Sequence, residues 1–439
     1  MSPVATAWRE YREATSSFTR PARRFLLTTL LAWTGLGVHQ VLFNLYLVEG
    51  RFRVSFVGHA VSAMGAGLAV AALPAAWLAN RFGRRRCLIA GSIIDATALI
   101  VRSITIDPTV VIGASFMAGI GQSLIAIAAA PFLAEHSSSK ERTHLFSAYF
   151  ATQLLAGVFG SLLGGILPHG FERLGFLGLD RFHAYRVTLV LGAVLELSAA
   201  LPLLTLPGRE QPIEAGADGD RRADRDRRAT GRQLSGIGAF AFLLGSGAGL
   251  VIPFMNLYFA TRFACSSAQI GVFFSLAQVS TALAALIGPA IAVRFGRLRT
   301  AVISQFLSLP FLLTLGFEKH LGVAVIAFWL RATFMQASMP LLNAFLMEAM
   351  PTAQRARATS LMNLLWNVGW AVSATLSGTL IQQFGYTVPF SITGSLYLVA
   401  TTMFWLSFRN VEERGTAAGG EALVTEEVKG ARGSSTAAE

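Results

Sequence analysis

Residues 76 to 86 read Ala76-Trp77-Leu78-Ala79-Asn80-Arg81-Phe82-Gly83-Arg84-Arg85-Arg86, a burst of arginines between two long apolar runs. Its centre returns 213 residues later as Arg294-Phe295-Gly296-Arg297, again between two apolar runs. Two further stretches repeat at nearly the same interval. Asn44-Leu45-Tyr46 recurs as Asn256-Leu257-Tyr258, and Phe132-Leu133-Ala134-Glu135, with Arg142 seven residues on, recurs as Phe345-Leu346-Met347-Glu348, with Arg355 seven residues on. Three matches in one register mean a duplicated chain whose halves run parallel.

The duplicated unit is a membrane unit. Of the 439 residues 53% are apolar and 14% charged, and mean hydropathy is +0.55, too little polar surface to cover a water-soluble globule. Lipid cannot satisfy backbone N–H and C=O groups, so spanning elements must be helices or a closed barrel, and unbroken apolar runs of about 20 residues select helices. Twelve such runs are expected, at roughly 25 to 48, 56 to 79, 87 to 106, 110 to 134, 144 to 167, 185 to 206, 237 to 260, 269 to 292, 300 to 317, 321 to 347, 358 to 384 and 388 to 408. The first is too long for a signal-peptide core and follows Arg23 and Arg24, so it reads as a retained helix. The expected fold is an all-α membrane protein with 12 transmembrane helices in two pseudo-symmetric six-helix bundles.

Charge orients the bundle. Of the 36 Lys and Arg residues, 27 fall before the first span, in the even-to-odd loops or in the tail, 7 fall in the opposite loops, and Arg102 and Arg331 lie inside spans. The positive-inside rule then places both termini in the cytoplasm. The net charge of +12 needs no nucleic acid, because the basic residues flank spans instead of covering a soluble domain. The chain divides into a cytoplasmic N-terminal segment 1–24, a bundle 25–206, a charged cytoplasmic linker 207–234, a bundle 235–410 and a disordered tail 411–439. Trp8, Tyr11 and Phe18 interleave with Arg9, Arg12 and Arg20, a pattern that suits either a short helix on the inner leaflet or a frayed terminus. Cys87 and Cys265 fall on opposite sides and should not pair.

The stretch from Ala76 to Arg86 resembles the signature loop of the major facilitator superfamily, and the resemblance covers the whole membrane portion. Ala76 stands where the signature has glycine and Asn80 where it has an acid. Gly160-Ser161-Leu162-Leu163-Gly164-Gly165 in the fifth span is similar to the glycine motif of the superfamily's drug/proton antiporter-like branch, with Ser161 in place of proline. Gly157, Gly160, Gly164 and Gly165 serve equally as generic close-packing positions; Ser373, Ser377 and Gly378 match them in the eleventh span. The resemblance implies a solute path lined by the first, fourth, seventh and tenth helices, with the fifth, eighth and eleventh completing the walls.

Polar residues within spans are the candidates for chemistry. A charge at the bilayer centre costs on the order of 2.5 to 3.5 kcal/mol even on the lenient scale, so it should face protein or water. Asp95 and Arg102 in the third span share a face about 10.5 Å apart, Glu196 lies in the sixth span and Arg331 in the tenth. Asp95, Arg102 and Glu196 form either a structural ion pair or, at one of the acids, a proton-coupling site. Arg331 either binds an anionic group or pairs an acid. The wall candidates are His39, Gln40, Asn44, Gln122, Gln153, Asn256, Tyr258, Gln278, Gln336, Asn343, Asn363, Trp366, Asn367 and Trp370. For each, hydrogen bonding between helices competes with a role in binding, and His39 is a proton relay or a packing residue. Asn80, Arg81, Gly83, Arg84, Glu135, Arg142, Arg294, Gly296, Arg297, Glu348 and Arg355 make up the signature loops and a candidate cytoplasmic gate; by resemblance Glu135 should meet Arg84.

An enzyme is not expected. None of the three lysines, Lys140, Lys319 and Lys429, follows a glycine, so a phosphate-binding loop is missing, and neither a His-Glu-x-x-His metal motif nor a Gly-x-Ser-x-Gly elbow occurs. Neither cofactor nor metal is implied. Three functions remain open: proton-coupled export of a small amphipathic compound, proton-coupled import of a polar or anionic metabolite anchored by Arg331, and a non-transporting sensor or assembly partner. The expected partners are a small-molecule substrate and membrane lipid, for a monomer in the plasma (inner) membrane of a bacterium.

Overall fold

The computed structural model describes residues 18–138, 141–173, 179–206, 227–350 and 352–409. Among them are twelve helices long and apolar enough to cross a membrane: α1 Arg20–Glu49, α2 Val54–Phe82, α3 Arg84–Ile104, α4 Pro108–Glu135, α5 Arg142–Arg173, α6 Arg181–Leu204, α7 Leu234–Arg262, α8 Ser267–Phe295, α9 Arg297–Phe317, α10 Leu321–Ala349, α11 Thr352–Phe384 and α12 Thr387–Arg409. Each expected span falls on one helix. Most helices run several residues past the apolar stretch, because a helix continues into the headgroup layer where polar side chains are solvated.

Local chemistry sets many of the ends. Asp107 caps α4 by accepting from the amides of Thr109 (2.9 Å) and Val110 (3.0 Å), with Pro108 in the first turn. Asp180 caps α6 through the His183 amide, and Ser266 with Gln269 forms a capping box at α8. The two signature glycines have a backbone reason: Gly83 between α2 and α3 has φ +93°, and Gly296 between α8 and α9 has φ +87°, a region that side chains disfavour.

Two features depart from the sequence reading. The helix leading into the seventh span starts at Arg227, inside the segment expected to be linker, because α-helical backbone extends beyond the apolar window. The same span is also broken, with a 3₁₀ turn at Ile252–Phe254 before the helix resumes at Met255. Pro253 sits in that turn and has no N–H to continue the ladder. The segment before residue 18, read as either an inner-leaflet helix or a frayed terminus, the linker from 207 to 226 and the tail from 411 lie outside the described residues. Cys87 and Cys265 are both free and buried, at opposite ends of the bundle.

Candidate solute pathway and buried charge cluster

The halves meet mainly through α2 with α11 and α5 with α8, while α1 touches both α7 and α8. The outer end is defined here as the end opposite the termini. Near it, Gly58 of α2 packs on the Ala374 carbonyl and Gly378 of α11, and Gly165 of α5 packs on Ser267 and Gly271 of α8. Ser267 Oγ donates to the Gly165 carbonyl (3.0 Å) and Ser275 Oγ to that of Val158 (3.0 Å). Further along, Gly65 lies against Ala371 and Trp370, and Gly157 lies under the Gln278 side chain. The glycine motif therefore packs two ways: Gly160 and Gly164 on Thr34 and Val38 of α1, Gly157 and Gly165 on α8. In the matching pair of the other half, Ser377 Oγ donates to the Leu250 carbonyl of α7 and Gly378 faces Val54 and Ser55 of α2.

The repeated Asn-Leu-Tyr explains the seam between α1 and α7. Asn44 Nδ2 donates to the Pro253 carbonyl (2.5 Å) and to Asn256 Oδ1 (3.1 Å), while Asn256 Nδ2 donates to the carbonyls of Gln40 (3.2 Å) and Val41 (2.9 Å). The α7 break makes room for this. The Leu257 amide turns to Asn256 Oδ1 (2.8 Å), and the Pro253 carbonyl, its acceptor in a regular helix, takes Asn44 instead. The tyrosines act within each half: Tyr46 donates to the Thr105 carbonyl at the end of α3 (3.3 Å), and Tyr258 to the Leu315 carbonyl near the end of α9 (2.7 Å). Asn44, Asn256 and Tyr258 thus lie in the packed seam or core and not on an open wall, because each is buried with its polar groups satisfied by neighbouring helices.

Gln40, one turn from Asn44 on the side of the termini, is exposed, as are Gln336, Asn343 and Asn363. Gln278 and Trp370 stand at the inner edges of the α5–α8 and α2–α11 seams. Trp366 and Asn367 are half-buried on α11, with the Trp366 backbone against Gly245 of α7. Gln153 lies beside Tyr149, one turn away on α5.

The intramembrane charges of the N-terminal half converge. Asp95 of α3 and Glu196 of α6 face each other across the packed α3–α6 pair, and both are buried, along with Arg102 and His39. Glycines permit the approach. Gly35 of α1 packs against Gly192 and Glu196, and Gly121 of α4 against the Asp95 backbone. The ion pair expected of Arg102 does not form within 4 Å. Its guanidinium lies 3.9 Å over the Phe43 ring of α1, with Nη1 3.8 Å from Met64 Sδ of α2. Seven residues of helix separate Arg102 from Asp95, and a ring face supplies the nearer electron density. His39 places Nδ1 3.1 Å from the Gly35 carbonyl. Asp95 Oδ1, Glu196 Oε2, Arg102 Nε, Gln122 Nε2 and His39 Nε2 are left without hydrogen-bond partners.

The C-terminal half treats the same junction differently. At the 213-residue offset Asp95 corresponds to Ser308 and Gln122 to Met335, whose Oγ and Sδ lie 4.0 Å apart. A neutral network closes it: Gln305 Nε2 donates to Ser338 Oγ (3.2 Å) and Thr401 Oγ1 to Gln305 Oε1 (2.9 Å). Arg331 is buried nearby with Nη2 3.5 Å from Tyr397 Oη and Nε unpartnered. Sequence reasoning missed Phe43, Tyr149, Gln305 and Thr401. Gln305 alone carried a signal, an amide inside an apolar run.

At the end bearing the termini, Arg84 meets Glu135 (Nε–Oε1 3.4 Å) and donates to Asn80 Oδ1 (2.6 Å). Arg81 lies over Trp77 and Phe82, and Arg294 over Phe295. Arg142 does not reach Glu135. It donates to the Ala134 carbonyl (3.2 Å), and Arg355 donates to the Met350 carbonyl (3.1 Å). Orphan carbonyls and the negative end of the helix dipole attract a guanidinium there. The Glu348 side chain lies outside the described set. Arg85, unnoticed in sequence beyond its charge, caps α6 through the carbonyls of Leu203 (2.8 Å) and Leu204 (3.0 Å).

Two six-helix halves joined along a glycine-lined outer seam, with buried polar clusters behind it, define a helical membrane transporter. The family model of the Major Facilitator Superfamily matches residues 25–239 and 236–435. The chain belongs to that superfamily, and transport is its function class. Among solved structures it is similar to the nucleoside transporter NupG (14% identity, TM-score 0.71, covering 89% of this chain and 99% of that one). It is similar also to a bacterial homolog of the human lysosomal transporter Spinster in an inward-facing, unoccupied conformation (13%, 0.71, 89% and 96%), and to a D-xylose-proton symporter (18%, 0.68, 87% and 95%). No curated protein matches.

Proposed function

We propose that this protein is a proton-coupled exporter of a small amphipathic compound, working by alternating access from a state that faces the cytoplasm. The observation that carries this reading is the one-sided seam. The interhalf contacts cluster toward the outer ends of α2, α5, α8 and α11, sealed by Asn44 and Asn256, while polar Gln336, Asn343 and Asn363 are exposed. The basic loops mark the end bearing the termini as cytoplasmic. Trp366 and Trp370 beside uncharged amides suit an apolar solute with a few polar groups, and the fifth-span glycine motif supports the exporting direction.

A second reading has its own observation. Arg331 lacks an acidic partner among the described residues and keeps Nε unpartnered, which suits import of an anionic metabolite. Everted membrane vesicles holding an imposed pH gradient separate the two. Export by exchange dissipates the interior-acid gradient when lipophilic cations from a compound panel are added. Import by symport reverses the sign of proton movement and responds to anionic metabolites. A panel that moves no protons in either direction, with protein present in the membrane, refutes both.

A further inference from the structure

The buried cluster of the N-terminal half has a charge balance that constrains its occupant. The groups facing it are His39 from α1, the Met64 sulfur from α2, Asp95 and Arg102 from α3, Gln122 from α4 and Glu196 from α6. With both carboxyls ionised and Arg102 charged, the sum is minus one. A net charge without solvent in a membrane interior is strongly disfavoured. The two acids are buried on packed helices, α3 and α6, and two ionised carboxylates facing each other there repel, so a proton on one of the pair is favoured. One proton brings the sum to zero and relieves that repulsion. Sodium would instead need several oxygen ligands, and Arg102 and His39 crowd the site with a cation and an imidazole.

We infer that Asp95 and Glu196 together form a single-proton binding site, that the structure represents its loaded state, and that Arg102 senses the proton's departure. Loss of the proton leaves an uncompensated negative charge on the pair. The guanidinium over Phe43 is the nearest mobile countercharge, and drawing it toward the carboxylates breaks its stack on α1. Phe43 adjoins Asn44, whose amide holds the outer seal to α7. Proton occupancy is thereby read by the helix that closes the outer end, and the C-terminal half, with Ser308 and Met335 at the matching positions, has no counterpart. The inference rests on the proton-coupled reading above and adds which residues hold the proton and how many protons they hold.

The test needs no substrate. The full chain in liposomes is followed by infrared spectroscopy across pH in H₂O and D₂O. The expected result at neutral pH is one protonated-carboxyl C=O band that shifts in D₂O and is lost in both Asp95→Asn and Glu196→Gln. The band moves when wild-type protein carries ¹³C-carboxyl glutamate or aspartate, a check that avoids any folding defect of the variants. Absence of the band at neutral pH, its persistence in both variants, or its appearance only after sodium is withdrawn overturns the assignment. Failure of vesicle transport with the band intact would instead count against the transport reading alone.

Discussion

Asn256 offers the most direct handle on the seal. Its replacement by alanine removes three hydrogen bonds across the halves, to Asn44 and to the carbonyls of Gln40 and Val41. Hydrogen bonds between membrane helices average about 0.6 kcal/mol each, so roughly 2 kcal/mol is withdrawn from the closed outer end. All three cross the interface that must part when the outer end opens, so the loss falls on one state only. The equilibrium between closed and open outer ends should shift about 30-fold toward open. Spin labels at Arg53→Cys and Gln383→Cys, in a background with Cys87 and Cys265 replaced by alanine, report it. Both sites are exposed, and they flank the contact between the Ser55 amide and Gln382 Oε1 at 3.4 Å, so the starting distance is short and a longer population should grow in the Asn256→Ala protein. The double variant with Asn44→Ala should fall short of additivity by about 0.6 kcal/mol, since one bond is common to both. A distance distribution identical to wild type, with the variant folded, would refute the claim that this pair latches the outer end.

Other consequences are simpler to measure. Gly160→Leu should prevent folded protein from accumulating, as judged by fluorescence-detected size exclusion, because even a Cβ there meets the Thr34 carbonyl and the Gly37 Cα; Gly113→Ala, with nothing within 4 Å, should behave as wild type. At the start of α6, the His183 amide donates to Asp180 and holds its carboxyl below the ordinary value. A lowered folded value means the cap's contribution is present above the unfolded carboxylate range and is lost as pH falls through the folded one. Hydrogen exchange at the His183 amide, corrected for intrinsic chemistry, should therefore rise on acidification, and should not in Asp180→Asn.

The likeness of the two halves is legible in the chain, but its meaning differs by position. Asn-Leu-Tyr was readable as a repeat near two helix ends. Its asparagines look like solute contacts until the packing shows them bonded to each other. Arg142 and Arg355 keep the same spacing from Glu135 and Glu348, which suggests charge pairs, yet the guanidiniums bond to helix-end carbonyls. Backbone acceptors are invisible to a reading of side-chain types.

The chain by itself determined the solvent, the number of crossings, the duplication and the basic side, because each is a property of a window of about 20 residues or of a count along the chain. Folding decided that Asp95 faces Glu196, that Arg102 stacks on Phe43 and that α7 breaks at Pro253 to receive Asn44. These depend on the rotation of each helix about its own axis. A helix that is apolar on nearly every face carries little periodic signal for that rotation, and small residues at Gly35, Gly121 and Gly160 settle it only once the neighbouring backbone is in contact.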